Sequence, residues 1–275
     1  MSFVQLSNVR LEYVVHGQGP ERILFIHGFQ ASARIWEKVQ KALPAEHYTS
    51  VAINNRGAGR SDAPPNESDY GVAIFASDAF ELAAKLEWNR FTLVGHSLGG
   101  ATAMQFALDY PQLLKGLVLL DPASPNGRAL GGGDSELTAT IDALMAARRE
   151  QQARGAGGDG IVARGATDEW LRLLADDMRA APEQRLRGSL RSMFGVRFGD
   201  RLKTLPMPVL LAGGDADELI PVANMLETWA LLPQGSGLHF WHGVGHSPNV
   251  DCPEALANLL QRFVERTAPA RGAVP

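Results

Sequence analysis

The sequence predicts an α/β protein: a mostly parallel, doubly wound central sheet with an inserted helical lid. Three observations predict it. Largely apolar runs of strand length, at 22–26, 49–53, 91–94, 117–120 and 208–212, alternate with stretches of helical spacing. Strands that are apolar throughout belong to a parallel sheet covered on both faces. His27, Ser97 and Asp121, residues suited to chemistry, stand just past the ends of such runs, where open parallel sheets gather their sites. From Pro122 to about Asp200 the strand pattern stops, and helical stretches and glycine breaks take over.

The chain has 275 residues, 45% of them hydrophobic, which suits one large domain with an insertion and gives ample core. The expected division is a core of 1–122 and 202–268, a lid of 123–201 and a tail of 269–275. A formal net charge of −4 and the lack of a basic run argue against nucleic acid as a partner. No apolar run approaches a membrane span. The opening Met1-Ser2-Phe3-Val4-Gln5-Leu6 lacks the basic start and long apolar stretch of a secretion signal. The expectation is a cytoplasmic protein acting on a small molecule. The single cysteine, Cys252, cannot close an internal disulfide. No electropositive motif surrounds it, so it is assigned to packing or surface.

Taken in order, Val9 to His16 alternates as a strand, and Gly17-Gln18-Gly19-Pro20 turns it. Arg22 to Ile26 is a buried strand running into His27-Gly28-Phe29-Gln30. Ser32 to Leu43 has helical spacing, with Ile35, Trp36, Val39 and Leu43 on one side. Thr49 to Ile53 is a strand, followed by the glycine-rich loop Asn54 to Asp62. That loop carries neither the Gly-Lys-Ser/Thr of a phosphate loop nor a dinucleotide fingerprint, and reads as structural. Ile74 to Leu86 is a helix that covers the sheet. Phe91 to Val94 is a strand, and Ala101 to Leu108 a helix rich in small residues. Leu117 to Leu120 is the fifth strand, ending in Asp121-Pro122. Three helical stretches follow, Leu137 to Arg149, Asp168 to Met178 and Glu183 to Phe194, with breaks at Gly131 to Gly133 and Gly155 to Gly160. The sheet resumes at Pro208 to Ala212, then a helix at Val222 to Leu231, a strand at Leu238 to Trp241 and a closing helix at Pro253 to Arg266.

The fourth strand meets its helix through Gly95-His96-Ser97-Leu98-Gly99. A strand that turns into a helix in so few residues is strained at the serine, and side chains two positions either side would collide with the turn. The serine hydroxyl is thereby held at the carboxyl end of the sheet, above a helix N-terminus whose N–H groups favour a developing anion. A serine hydroxyl needs a base, and the base an orienting carboxylate. The chain offers Ser97, then Asp215 or Asp217, then His246, each after a predicted strand. In that reading the backbone N–H groups of Phe29 and Leu98 form an oxyanion hole.

The chain resembles the α/β-hydrolase superfamily in its serine-nucleophile branch over nearly its whole length. The resemblance rests on His27-Gly28-Phe29, Asn55-Arg56-Gly57-Ala58-Gly59-Arg60-Ser61, Gly95 to Gly100, Gly214 to Pro221, and Gly245-His246, in that order. The family pattern Gly-x-x-Asp-x-x-x-Pro falls on Gly214, Asp217 and Pro221, which implies Asp217 rather than Asp215 as the acid. Asp121 is the further alternative, since some members take the acid from the preceding strand end. The family histidine falls on His246, not on His242 or His239. Asn54 departs from the aspartate often found there, and serine at 97 sets the chain apart from the aspartate-using dehalogenases and epoxide hydrolases of the fold. The resemblance implies a serine hydrolase of small carboxylic esters or related acyl compounds, with no metal and no organic cofactor. Alternatives on the same fold are carbon–carbon hydrolysis of dienone acids, enol-lactone opening, cofactor-free perhydrolysis, and a non-enzymatic ligand receptor. Carbon–carbon hydrolases bind a carboxylate, usually with an arginine. Arg128, Arg148, Arg164, Arg187 and Arg191 lie in the lid segment, where arginines are usually solvated.

Overall fold

A computed structural model describes residues 1–153 and 168–267. The Gly155–Gly160 break, Arg164 and the 269–275 tail lie outside the described residues. The core is an eight-stranded sheet: β1 (Ser2–Gln5), β2 (Arg10–His16), β3 (Glu21–Ile26), β4 (Tyr48–Ile53), β5 (Phe91–His96), β6 (Leu114–Leu120), β7 (Val209–Gly214) and β8 (Gly237–Trp241). Their order across the sheet is β1-β2-β4-β3-β5-β6-β7-β8. β3 to β8 pair in parallel, whereas β2 runs antiparallel to both β1 and β4. The hairpin strand β1 has no counterpart in the sequence reading. Four residues at a sheet edge, three of them exposed, leave no period to read.

Alternation along the central strands sends side chains to two apolar layers. Leu24, Ile26, Leu93, Leu117, Leu119 and Leu211 face one layer, covered by α2 (Val72–Lys85) and α3 (Leu98–Asp109) through Phe75, Leu82, Met104 and Phe106. Ile23, Phe25, Val94, Val118, Leu120 and Ala212 face the other, covered by α1 (Glu37–Ala42) and, further along the chain, by the C-terminal helix (Pro253–Thr267) through Val39, Leu256, Leu260 and Val264. Expected helix 32–43 splits into a 3₁₀ turn at Ala33–Trp36 and the short α1. Ser32 caps the turn by accepting from the Arg34 N–H.

Between β6 and β7 lie α4 (Gly133–Ala153), α5 (Glu169–Ala180) and α6 (Glu183–Gly195). Gly133, read as part of a break, is the first residue of α4. Ile141, Met145, Ala181, Leu186 and Leu190 form a third apolar cluster, against which Phe29 packs. On the same helix as Ile141 and Met145, Leu144 is exposed. Arg185 of α6 is 2% exposed and donates to the Ala31 carbonyl at 2.8 Å and the Gly57 carbonyl at 3.3 Å. Asp177 of α5 accepts from Ser32 Oγ at 2.5 Å and Arg34 Nε at 3.1 Å. These bonds fasten the inserted helices over the loops that follow β3 and β4. The chain closes with α7 (Val222–Ala230), the single turn α8 (Pro248–Asp251) and α9 (Pro253–Thr267).

Among the described residues no helix is long and apolar enough to cross a membrane.

Candidate active site

Ser97 stands between β5 and α3 with φ 55° and ψ −118°. A left-handed φ is costly for a residue with a Cβ and persists only where the surroundings fix it. Here they do. The Ser97 N–H donates to the Leu120 carbonyl at 3.0 Å, and its carbonyl accepts from Gly100, Ala101 and Ala123. A Cβ on Gly95 would stand 2.2 Å from the Gly99 carbonyl oxygen, and one on Gly99 would stand 2.3 Å from that of Ile26. Both glycines are therefore required by contact with backbone that cannot yield.

The loop after β3 closes down on this turn. A Cβ on Gly28 would lie 3.1 Å from the Ser97 Cβ and 3.1 Å from His96 Nδ1. His27 fixes that loop: its Nδ1 bonds the Gly28 carbonyl at 2.9 Å, and its Nε2 accepts the Asn55 N–H at 3.2 Å. Complete burial, reinforced by the nearby Arg185 charge, pushes the His27 pKa down to about 3, so the ring is neutral. Among the described residues the backbone N–H groups of Phe29 and Leu98 donate to no protein acceptor.

His246 and Asp217 come together from separate loops. Asp217 follows β7 and His246 follows β8, and the Asp217 Oδ2 lies 2.7 Å from His246 Nδ1. Asp217 Oδ1 accepts from the N–H groups of Leu219 at 2.7 Å and Ile220 at 3.0 Å. Burial works against the Asp217 charge, but the His246 hydrogen bond and charge and the two N–H donors outweigh it and lower its pKa. The Asp217 side chain is fully buried, while that of His246 is 20% exposed. A carboxylate held on Nδ1 leaves Nε2 as the free nitrogen of the ring.

Ser97 and His246 are neighbours through His96. His96 Nε2 donates to the His246 carbonyl at 2.7 Å, and the two rings lie 4.9 Å apart. Burial, and then the His246 charge, push the His96 pKa down to about 3. No hydrogen bond joins the Ser97 hydroxyl directly to His246 among the described residues, and such bonds often tighten only when substrate arrives.

The other candidates lie apart from this group or beside it. Asp215 accepts instead from the exposed His242, at 2.8 Å to Nδ1, and from the Gly243 N–H at 2.7 Å. His239 lies within β8. Asp121 follows β6, and the carboxylate that His246 bonds is that of Asp217. Arg148 donates to the Met178 and Arg179 carbonyls, and Arg187 pairs with Glu67 and Asp142. Arg191 lies near Thr138 and Glu67, and Arg128 stacks over Phe194. Among the described residues of the insert the buried arginine is Arg185, which sequence reasoning missed: its flanking Gln184 and Leu186 give no sign of which arginine of α6 turns inward. Cys252 is a free, half-buried thiol that burial, aided by Asp251, pushes up to about 11, which makes it a poor nucleophile. No group of three or more potential metal ligands exists among the described residues.

Residues 21–251 match the profile of the alpha/beta hydrolase fold family. An uncharacterized protein of Mycobacterium tuberculosis is 31% identical over 287 residues, covering 98% of this chain and 82% of that one. The putative 2-succinyl-6-hydroxy-2,4-cyclohexadiene-1-carboxylate synthase of Bacillus subtilis is 28% identical over 92% of this chain and 95% of its own. Among solved structures, an N-acyl homoserine lactone degrading enzyme superposes with a TM-score of 0.75 at 26% identity, over 95% of this chain and 100% of its own.

Proposed function

This chain belongs to the alpha/beta hydrolase family, and from that premise we propose that it is a serine hydrolase acting on a small carboxylic ester or related acyl compound. Ser97 attacks the acyl carbon. His246 takes the hydroxyl proton and returns it to the leaving group, while Asp217 holds the ring tautomer and balances the imidazolium. The N–H groups of Phe29 and Leu98 receive the oxyanion, each worth about 3–4 kcal/mol in comparable sites. Water activated by His246 then frees the acid from Ser97, with no metal or organic cofactor in the cycle. The segment 123–201 acts as a lid that excludes water and shapes the acyl pocket.

The observation that carries this reading is the Ser97 turn. Backbone strain at that residue, walled by two obligatory glycines, is what a turn that presents the hydroxyl at the sheet's carboxyl end requires. The His246–Asp217 contact of 2.7 Å supports it from the opposite side of the site. Lactones belong among the substrates to try, given the lactone-degrading relative at 26% identity.

Intact mass after treatment with a fluorophosphonate tests the reading. A single adduct on the native protein, absent from Ser97→Ala, is expected. An adduct that survives Ser97→Ala rules out Ser97 as the activated nucleophile. No adduct on the folded native protein favours a ligand receptor built on the fold.

A further inference from the structure

Asp121 is a buried carboxyl that the charge relay leaves without a role. It follows β6 with a backbone φ of 39°, a left-handed value for a residue with a side chain. Its N–H donates to the Ala212 carbonyl at 2.9 Å, which ties it to the end of β7. Its side chain is wholly buried, and Oδ1 accepts the Gly214 N–H at 3.1 Å. A Cβ on Gly213 would stand 2.2 Å from that Oδ1, so only glycine leaves room for the carboxyl. Oδ2 is buried and has no hydrogen-bond partner among the described residues, and the carboxylate that acts on it is that of Asp217, three residues beyond the Gly214 N–H that holds Oδ1.

Two buried carboxylates that act on each other both accept and both repel, and an unpartnered buried oxygen on one of them is relieved if that one keeps a proton. Asp217 has three donors: Leu219, Ile220 and His246. Asp121 has one, on Oδ1. The proton therefore belongs on Asp121 Oδ2.

We propose that Asp121 is a positioning residue: a neutral carboxylic acid whose O–H donates to the Asp217 carboxylate and so fixes the group that orients His246. Burial, then the Asp217 charge, pushes the Asp121 pKa up to about 9, in keeping with this assignment. The groups that face it are the Gly214 N–H from the end of β7 and Asp217 from the loop after it, with His246 behind Asp217, and Cys252 from between α8 and α9. None of these is a fixed cation that would draw the proton off.

The inference rests on Asp217 as the partner of His246, so its test needs a readout independent of turnover. Infrared difference spectra of folded native protein and Asp121→Asn at neutral pH are that readout. A protonated-carboxyl C=O band present in the native protein and missing from Asp121→Asn is expected, whether or not Ser97 is active. Absence of the band overturns the proton assignment and leaves the proposed function untouched. Activity tests the positioning role. Asparagine can donate to Asp217 and accept from Gly214, so Asp121→Asn is expected to restore most of the fluorophosphonate labelling rate that Asp121→Ala loses, about tenfold or more. The native labelling rate should also fall above pH about 9 as Asp121 ionises, with no such fall in Asp121→Asn. Asp121→Asn as slow as Asp121→Ala, with both folded by circular dichroism, overturns the proposal, as do superimposable alkaline profiles.

Discussion

Asn54 is placed where the resemblance leads one to expect aspartate, and its two amide atoms have different tasks. Oδ1 accepts the Ala33 N–H at 2.6 Å, while Nδ2 donates to Glu12 Oε2 at 2.9 Å. Glu12 is 2% exposed and also receives the N–H and side chain of Arg60. An aspartate would keep the bond to Ala33 but set a second carboxylate against Glu12. Asn54→Asp is therefore expected to destabilise the fold by about 1–3 kcal/mol at neutral pH, the cost of a buried acceptor losing its donor. The loss should shrink as pH falls into the carboxylate range, and urea midpoints at about pH 7 and about pH 3.5 would measure it. The glycines around Ser97 give a second expectation at this scale. Gly99→Ala puts a methyl 2.3 Å from the Ile26 carbonyl oxygen and must push α3 away from β3. Stability should drop by about 1–3 kcal/mol, and fluorophosphonate labelling of Ser97 should slow more than that loss explains, because the Leu98 N–H moves with the helix. A Gly99→Ala variant with native labelling would show that this close approach does not set the site. Asp217→Asn should cost roughly 10³–10⁴-fold in labelling rate by allowing the wrong His246 tautomer.

The loops and inserted helices show how elements are held in place by few contacts. Arg185 carries α6 to the loops after β3 and β4 through two carbonyl oxygens. Burial lowers its pKa to about 10, so the buried charge is itself a cost to folding. Arg185→Met gives back that desolvation but strips two carbonyls of their donors, and the two effects oppose each other. Global stability should shift by less than about 1–2 kcal/mol, while α6 loses its anchor. Hydrogen exchange is the measurement: α6 amides should exchange faster while those of β5 stay unchanged. Equal acceleration in β5 and α6 would mean that the arginine supports the whole core instead. The loops after β7 and β8 are joined by a different device. Asp215 bonds His242 and the Gly243 N–H, so the same two loops that carry Asp217 and His246 have a second link at the surface. The Asp215 hydrogen bond raises the His242 pKa above its ordinary value of 6.5. That stabilisation is fully present below pH 6.5 and is lost as pH rises through the higher folded value. His242→Gln should remove this pH-dependent part, seen as a melting-temperature difference from native that narrows between pH about 5 and 8. A constant difference would place the link's value in packing, not charge.

At the scale of the whole molecule, the sequence made the parallel sheet and the order of the site residues readable, because buried strands and strained turns leave local signatures. Leu24 and Ile23 are apolar whichever layer they face, and Gly95 and Gly99 are demanded by contacts within one turn. What could not be read depends on partners distant in the chain. Arg185 is inward and Arg191 is not, since Ala31 and Gly57 lie over the first. The second link, Asp215 with His242, is of the same kind, since the two join only where the loops after β7 and β8 meet. Asp121 became more than an alternative acid only when β6 and β7 were set side by side. Three buried groups then combine into one property of the molecule. His27 and His96 are neutral inside, with pKa values lowered from 6.5 to about 3. Below pH 6.5 the unfolded chain binds protons that the folded chain refuses, so stability rises with pH from about 3 to 6.5. Asp121 works the other way. Its pKa is raised from 3.8 to about 9, so the folded chain keeps a proton that the unfolded chain has lost, and stability falls with rising pH across that interval. Below 6.5 the two buried histidines outweigh the Asp121 carboxyl; above it the carboxyl and the loss of the His242 link act in the same direction. Stability should therefore peak near pH 6.5, read as melting temperature against pH. Asp121→Asn should make the alkaline side shallower up to pH about 9 and leave the acid side at least as steep. A native melting temperature that climbs steadily through pH 8 would mean that Asp121 does not hold its proton in the folded state.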